Sequence, residues 1–126
     1  MQSKRILIID DERDIREATQ AILEIMGDME VILAGSGAEG LVKAETEQPD
    51  AILLDVMLPG MDGPTTFQQL QSNPATQHIP VILLTAKVHS SDWSRFSKLG
   101  VRAVIAKPFN PEQLVDRIAQ ACGWSL

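Results

Sequence analysis

The chain has 126 residues, one domain's worth, and its 44% hydrophobic and 22% charged residues give a globular balance that excludes disorder. One cysteine excludes a disulfide framework, two histidines leave little for the common zinc sites, and a formal net charge of −6 argues against a nucleic-acid-binding surface. No apolar run is long enough to span a membrane and the start lacks a signal-peptide core, so the expectation is a soluble, cytoplasmic, acidic single domain.

Five runs of four apolar residues punctuate the chain: Ile6–Ile9, Val31–Ala34, Ala51–Leu54, Val81–Leu84 and Ala103–Ala106. Short, branched, continuous runs are what strands buried on both faces look like. Each pair of runs is separated by enough chain for a loop, a helix and a second loop. That rhythm predicts a parallel sheet with crossover helices.

The first intervening segment carries Ile15, Ala18, Ile22, Ile25 and Met26 at helical spacing, an apolar stripe that ends before Gly27. Leu41, Val42 and Ala44 line a second helix, opened near Ser36 and closed before Pro49. Phe67 and Leu70 suit a third that stops at Asn73-Pro74, with a longer loop over 72–79. Trp93, Phe96 and Leu99 mark a fourth, opened by Ser90 or Ser91 and ended by Gly100. The fifth has Asn110 as N-cap, Pro111 at the first helical position and Gln113 where a capping box needs it. Its expected buried face is Leu114, Val115, Ile118 and Cys122.

The functional clue lies in the polar residues at the strand ends. The first strand runs into Asp10 and Asp11, the third into Asp55, the fourth into Thr85 and the fifth into Lys107. Strand C-termini of an open parallel sheet share one edge, so these groups converge there. Clustered carboxylates repel unless a cation joins them, and an oxygen-only ligand set suits a hard ion, Mg²⁺ above all. A lysine and a threonine opposite that ion suit a phosphoryl group. Either the phosphate is a bound ligand, or one aspartate attacks it and becomes an aspartyl phosphate.

Asp10-Asp11, the stretch 54–63 beginning Leu54-Asp55-Val56-Met57, Thr85-Ala86 and Lys107-Pro108-Phe109 together resemble a response-regulator receiver domain. The match runs over nearly the whole chain, with the family's motifs in order. The resemblance implies a flavodoxin-like, doubly wound (βα)5 fold with a five-stranded parallel sheet in order 2-1-3-4-5. It implies that Asp55 accepts a phosphoryl group from a phosphohistidine of a histidine kinase or histidine phosphotransfer protein. Asp10, Asp11, Asp55 and the Met57 backbone carbonyl are then the Mg²⁺ ligands, Lys107 pairs with the phosphoryl oxygens and Thr85 moves to hydrogen-bond them. The bond before Pro108 is expected to be cis, as in the family.

The sequence departs from the family at Val104, where receivers often carry an aromatic switch residue. Only a few residues lie beyond the fifth helix, so a domain over 1–126 with no output domain is expected, acting on a separate effector protein through helix four, strand five and helix five. On this reading the protein is a phosphoacceptor with slow self-hydrolysis rather than an enzyme.

Other motifs lead elsewhere. Gly35-Ser36-Gly37-Ala38-Glu39-Gly40 matches a dinucleotide fingerprint, and the rival reading, a flavodoxin-like cofactor-binding protein, rests on fold-level analogy alone. The fingerprint belongs on the first strand, however, and here it comes after the second, which lies at the sheet edge in the implied order. Phosphatases of the haloacid-dehalogenase type need an aspartate two residues past the nucleophile, and Met57 stands there. His78 and His89 read as solvated loop residues.

Overall fold

The computed structural model describes residues 3–86 and 90–125, with backbone alone for 90–93; Lys87, His89 and the Trp93 side chain therefore lie outside the described residues. The five apolar runs form the strands β1 (Arg5–Ile9), β2 (Glu30–Ala34), β3 (Ala51–Asp55), β4 (Val81–Thr85) and β5 (Ala103–Ala106). They alternate with α1 (Arg13–Met26), α2 (Gly37–Glu47), α3 (Gly63–Ser72), α4 (Ser90–Ser97) and α5 (Pro111–Cys122). All pairings are parallel, in the order β2-β1-β3-β4-β5. The expected flavodoxin-like architecture is the one observed.

Side chains alternate across each strand, so the sheet divides the core into two layers. Leu7, Ile9, Ile52, Leu54, Leu83 and Val104 meet Ala44, Phe67, Leu70 and Phe96 from α2, α3 and α4. Ile6, Ile8, Leu53, Ile82, Leu84 and Ile105 meet Leu23, Leu114, Val115 and Ile118 from α1 and α5. The central strands β3 and β4 are buried at every residue, as unbroken apolar runs require, whereas β2 at the edge is only half-buried. Each fully buried Leu or Ile contributes about 1.5–3 kcal/mol.

Side chains cap three helix starts, Ser36 and Asn110 at the expected places and Asp62 at one the sequence pattern does not single out. Ser36 Oγ accepts from the Glu39 amide, Asp62 from that of Thr65, and Asn110 from that of Glu112. Such a cap stabilises a helix by about 1 kcal/mol. At α5 the amide bonded to the cap is that of Glu112, where the capping box requires that of Gln113. Helix α3 takes in Ser72, and the 73–79 segment that follows is a series of turns pinned by Thr76, whose buried hydroxyl donates to the Leu70 carbonyl at 2.7 Å.

Three expectations of burial are corrected. The buried side of α1 is formed by Thr19 and Leu23, while Ile25 and Met26 of the apolar stripe are 82% and 47% exposed. Thr19 tolerates burial because its hydroxyl donates to the Ile15 carbonyl at 2.8 Å. Val42 is exposed, while α2 packs through Gly40 and Ala44 against the sheet, through Gly37 against Thr66 of α3, and through half-buried Leu41. Cys122 is half-buried, and Ala119 completes the inner face of α5. Among the described residues no helix is long and apolar enough to cross a membrane.

Candidate functional site

The register brings the C-terminal ends of β1, β3, β4 and β5 to one edge: Ile9 lies beside Leu54, Asp55 beside Leu84, and Thr85 beside Ala106. The residues at and just past those strand ends face one another there. Asp10 and Asp55 are 1% and 4% exposed, Thr85 is fully buried, and Asp11 reaches solvent. Lys107 Nζ lies 3.2 Å from Asp10 Oδ2 and 3.2 Å from Asp55 Oδ2, bridging the two buried carboxylates. The Lys107–Pro108 peptide bond is cis, as expected.

The remaining carboxylate oxygens are held by backbone. Asp10 Oδ1 accepts from the Glu12 amide at 3.0 Å, a bond that serves the start of α1 where Glu12 makes no side-chain cap. Asp55 Oδ1 accepts from the Met57 amide at 3.3 Å. Burial raises the Asp55 pKa and the Asp10 charge adds to it, while Lys107 opposes both without cancelling them. Burial works against the Lys107 ammonium, but the Asp55 and Asp10 carboxylates outweigh it and hold its pKa above the ordinary lysine value.

Carboxylate oxygens of Asp10, Asp11 and Asp55 lie within 4.8 Å of one another. Three oxygen donors this close, two buried and one open to solvent, fit a hard divalent cation that keeps part of its water shell. The site opens into a cleft of about 530 Å³, lined by Met57 and Lys107 and by the apolar side chains of Ile15, Ile22, Pro108 and Phe109. An anion entering the cleft meets the Lys107 ammonium and the Asp55 carboxylate together.

The structure thus brings together Asp10, Asp11, Asp55 and Lys107, all expected from the strand ends, with the Met57 amide beside them, while Thr85, also expected, is buried at the end of β4 with its carbonyl accepting from the Lys107 amide at 2.8 Å. Arg16, which the sequence pattern does not single out, also belongs here: its Nη1 donates to the Asp10 carbonyl at 2.7 Å. Apolar periodicity could not reveal it. The dinucleotide-like segment is accounted for by packing, since a Cβ on Gly40 would overlap the Ile9 side chain and one on Gly37 would overlap Thr66. His78 is exposed, as expected.

The family model of the response regulator receiver domain matches residues 6–119. The chain belongs to that family. Among similar receivers, the alkaline phosphatase synthesis transcriptional regulatory protein PhoP of Bacillus subtilis is 41% identical over 116 residues, covering 92% of this chain and 47% of that protein. The chain spans about half the length of the curated relatives it matches. A response regulator from Chloroflexus aurantiacus has a crystal structure with TM-score 0.90 at 33% identity, covering 97% of this chain and 99% of the other. The receiver domain of sensor histidine kinase PA1611 from Pseudomonas aeruginosa PAO1 has TM-score 0.87 at 27% identity, covering 97% and 99%, and its structure holds a magnesium ion in the active-site cleft. The acidic cluster of this receiver is of the type that binds Mg²⁺.

Proposed function

We propose that the protein is a phosphorylation-switched receiver that takes a phosphoryl group onto Asp55 from a phosphohistidine of a histidine kinase or histidine phosphotransfer protein. The observation that carries this reading is the buried Asp55 carboxylate at a strand end, bridged to Asp10 by Lys107 and open to a cleft on one side. In the transfer an Asp55 oxygen forms the new O–P bond as the N–P bond of the phosphohistidine breaks, and the electron pair returns to the imidazole. Bound to Asp10, Asp11, Asp55 and the Met57 carbonyl, Mg²⁺ supplies the charge that lets a dianion approach three carboxylates. Lys107 then pairs with a phosphoryl oxygen, and Thr85 turns its hydroxyl to another.

The donor histidine must reach Asp55 through the cleft, so its protein covers Ile15, Ile22, Pro108 and Phe109. Release is by slow hydrolysis, and the phosphorylated form acts on a separate effector protein through α4, β5 and α5. With Val104 buried in the core where an aromatic switch would stand, this surface responds through displacement of α4 rather than through a rotating ring.

Incubation with acetyl phosphate and Mg²⁺, read by intact mass, tests the reading. The wild type gains one phosphate, whereas Asp55→Asn and an EDTA-treated sample gain none. Equal labelling of Asp55→Asn would overturn the assignment of the acceptor.

A further inference from the structure

We propose that Arg16 is a positioning residue for the acidic cluster, holding the Asp10–Asp11 peptide in the orientation that keeps both carboxylates at the cation site. The inference rests on the reading that this cluster binds a divalent cation. Asp10 is the last residue held by strand pairing as the chain leaves the sheet, its amide donating to the Ala34 carbonyl at 3.1 Å. From there the backbone turns through Asp11 into α1. Two contacts fix that turn: the Glu12 amide donates to Asp10 Oδ1, and Arg16 Nη1 donates to the Asp10 carbonyl at 2.7 Å. A peptide unit is planar, so anchoring the Asp10 carbonyl also sets the direction of the Asp11 amide and the path of the Asp11 Cα. Among the described residues, no hydrogen bond or ion pair gives the exposed Asp11 such support.

The same guanidinium nitrogen also has room left for it by Gly35. A Cβ on Gly35 would lie 3.2 Å from Arg16 Nη1, closer than side chains ordinarily pack. Gly35 is not among the glycines with positive φ, so backbone conformation does not demand glycine there. What its missing side chain leaves is room for the guanidinium. The Gly35 amide is tied in turn to Glu39 Oε1 at 2.9 Å, which keeps the β2–α2 loop against Arg16. A half-buried arginine from α1 thus spans the ends of β1 and β2 to reach one carbonyl.

Mg²⁺ titration by calorimetry on the full chain, with amide exchange on the metal-free protein, tests the assignment. Arg16→Met raises the Mg²⁺ Kd about tenfold, the usual scale for losing support to a ligating residue, and speeds exchange at Asp11 and Glu12. Arg16→Lys, which keeps a donor on a long stem, recovers a Kd within about threefold of wild type. A purely structural arginine would lower the melting temperature and leave the Kd alone, so a Kd within about twofold of wild type in Arg16→Met overturns the proposal. Should that variant fail to fold, Gly35→Val crowds the guanidinium while keeping its charge, and an unchanged Kd there is equally decisive. Wild type that binds no Mg²⁺ defeats the underlying reading, whereas wild-type binding with an unmoved variant defeats this inference alone.

Discussion

Helices α1 and α5 pack side by side on the same face of the sheet, yet they use their apolar residues in opposite ways. In α5 the stripe of Leu114, Val115 and Ile118 is buried, as an amphipathic surface helix demands. In α1 the inner positions are Thr19 and Leu23; of the larger apolar stripe, Ile22 packs partly against the core, Ile15 is half-buried, and Ala18 and Ile25 are exposed. Its first members line the cleft that leads to Asp55. Apolar side chains left partly open at the mouth of a charged site are suited to being covered by another protein. The pocket supplies the chemistry, and the outer face of α1 supplies the approach to it.

The comparison is broken most sharply by truncating each helix. Ile118→Ala removes a fully buried side chain and is expected to cost about 2–5 kcal/mol in urea unfolding. Ile25→Ala removes one that is 82% exposed and should stay within about 0.5 kcal/mol of wild type. Equal costs would mean that α1 turns its stripe inward in solution.

A second substitution separates approach from chemistry. Ile15→Gln keeps neutrality and does not weaken helix propensity but removes an apolar contact at the cleft mouth. Transfer from a phosphohistidine protein should slow about tenfold, equivalent to about 1.4 kcal/mol at an interface anchor. Labelling by acetyl phosphate should be unchanged. A parallel loss with both donors would place Ile15 in the chemistry and remove the distinction.

Most of the site was legible because its residues end strands, and strands buried on both faces announce themselves as unbroken apolar runs. Asp10, Asp55, Thr85 and Lys107 needed only the rule that parallel strands share a C-terminal edge. The helix faces were less legible, for a physical reason. Periodicity weighs apolarity, whereas Thr19 is buried by satisfying its hydroxyl locally and α2 packs through glycines that carry no apolar weight. Arg16 was invisible for the same reason: beside Ile15 and Glu17 it reads as a surface charge, and only the fold turns it toward the Asp10 carbonyl.

On the pocket side, Met57 sharpens the comparison. Its side chain is 58% exposed and lines the cleft, yet it has neither an acid nor an amide to orient an attacking water. Met57→Asn should therefore shorten the lifetime of the aspartyl phosphate about threefold, measured by intact mass after the donor is removed. An equal or longer lifetime would show that access, rather than water orientation, limits hydrolysis.

The smallest expected effect tests whether the pocket is strained before phosphate arrives. Burial and the neighbouring Asp10 charge raise the Asp55 pKa above its unfolded value of 3.8, despite Lys107. With the folded pKa the higher of the two, the native state binds more protons than the unfolded state in the window between them, so stability falls as pH rises through it. Below 3.8 the carboxyl is protonated in both states and the penalty is absent; above the folded pKa it is fully present. Asn stands in for the protonated acid at every pH. Metal-free Asp55→Asn should accordingly be more stable than wild type at pH 7 in urea unfolding, with the advantage shrinking as pH falls through the folded pKa toward 3.8. A gain that is independent of pH would assign it to packing instead of charge. A loss at pH 7 would mean that the bond to Lys107 outweighs burial, and that the pocket is stabilised by its own ion pair.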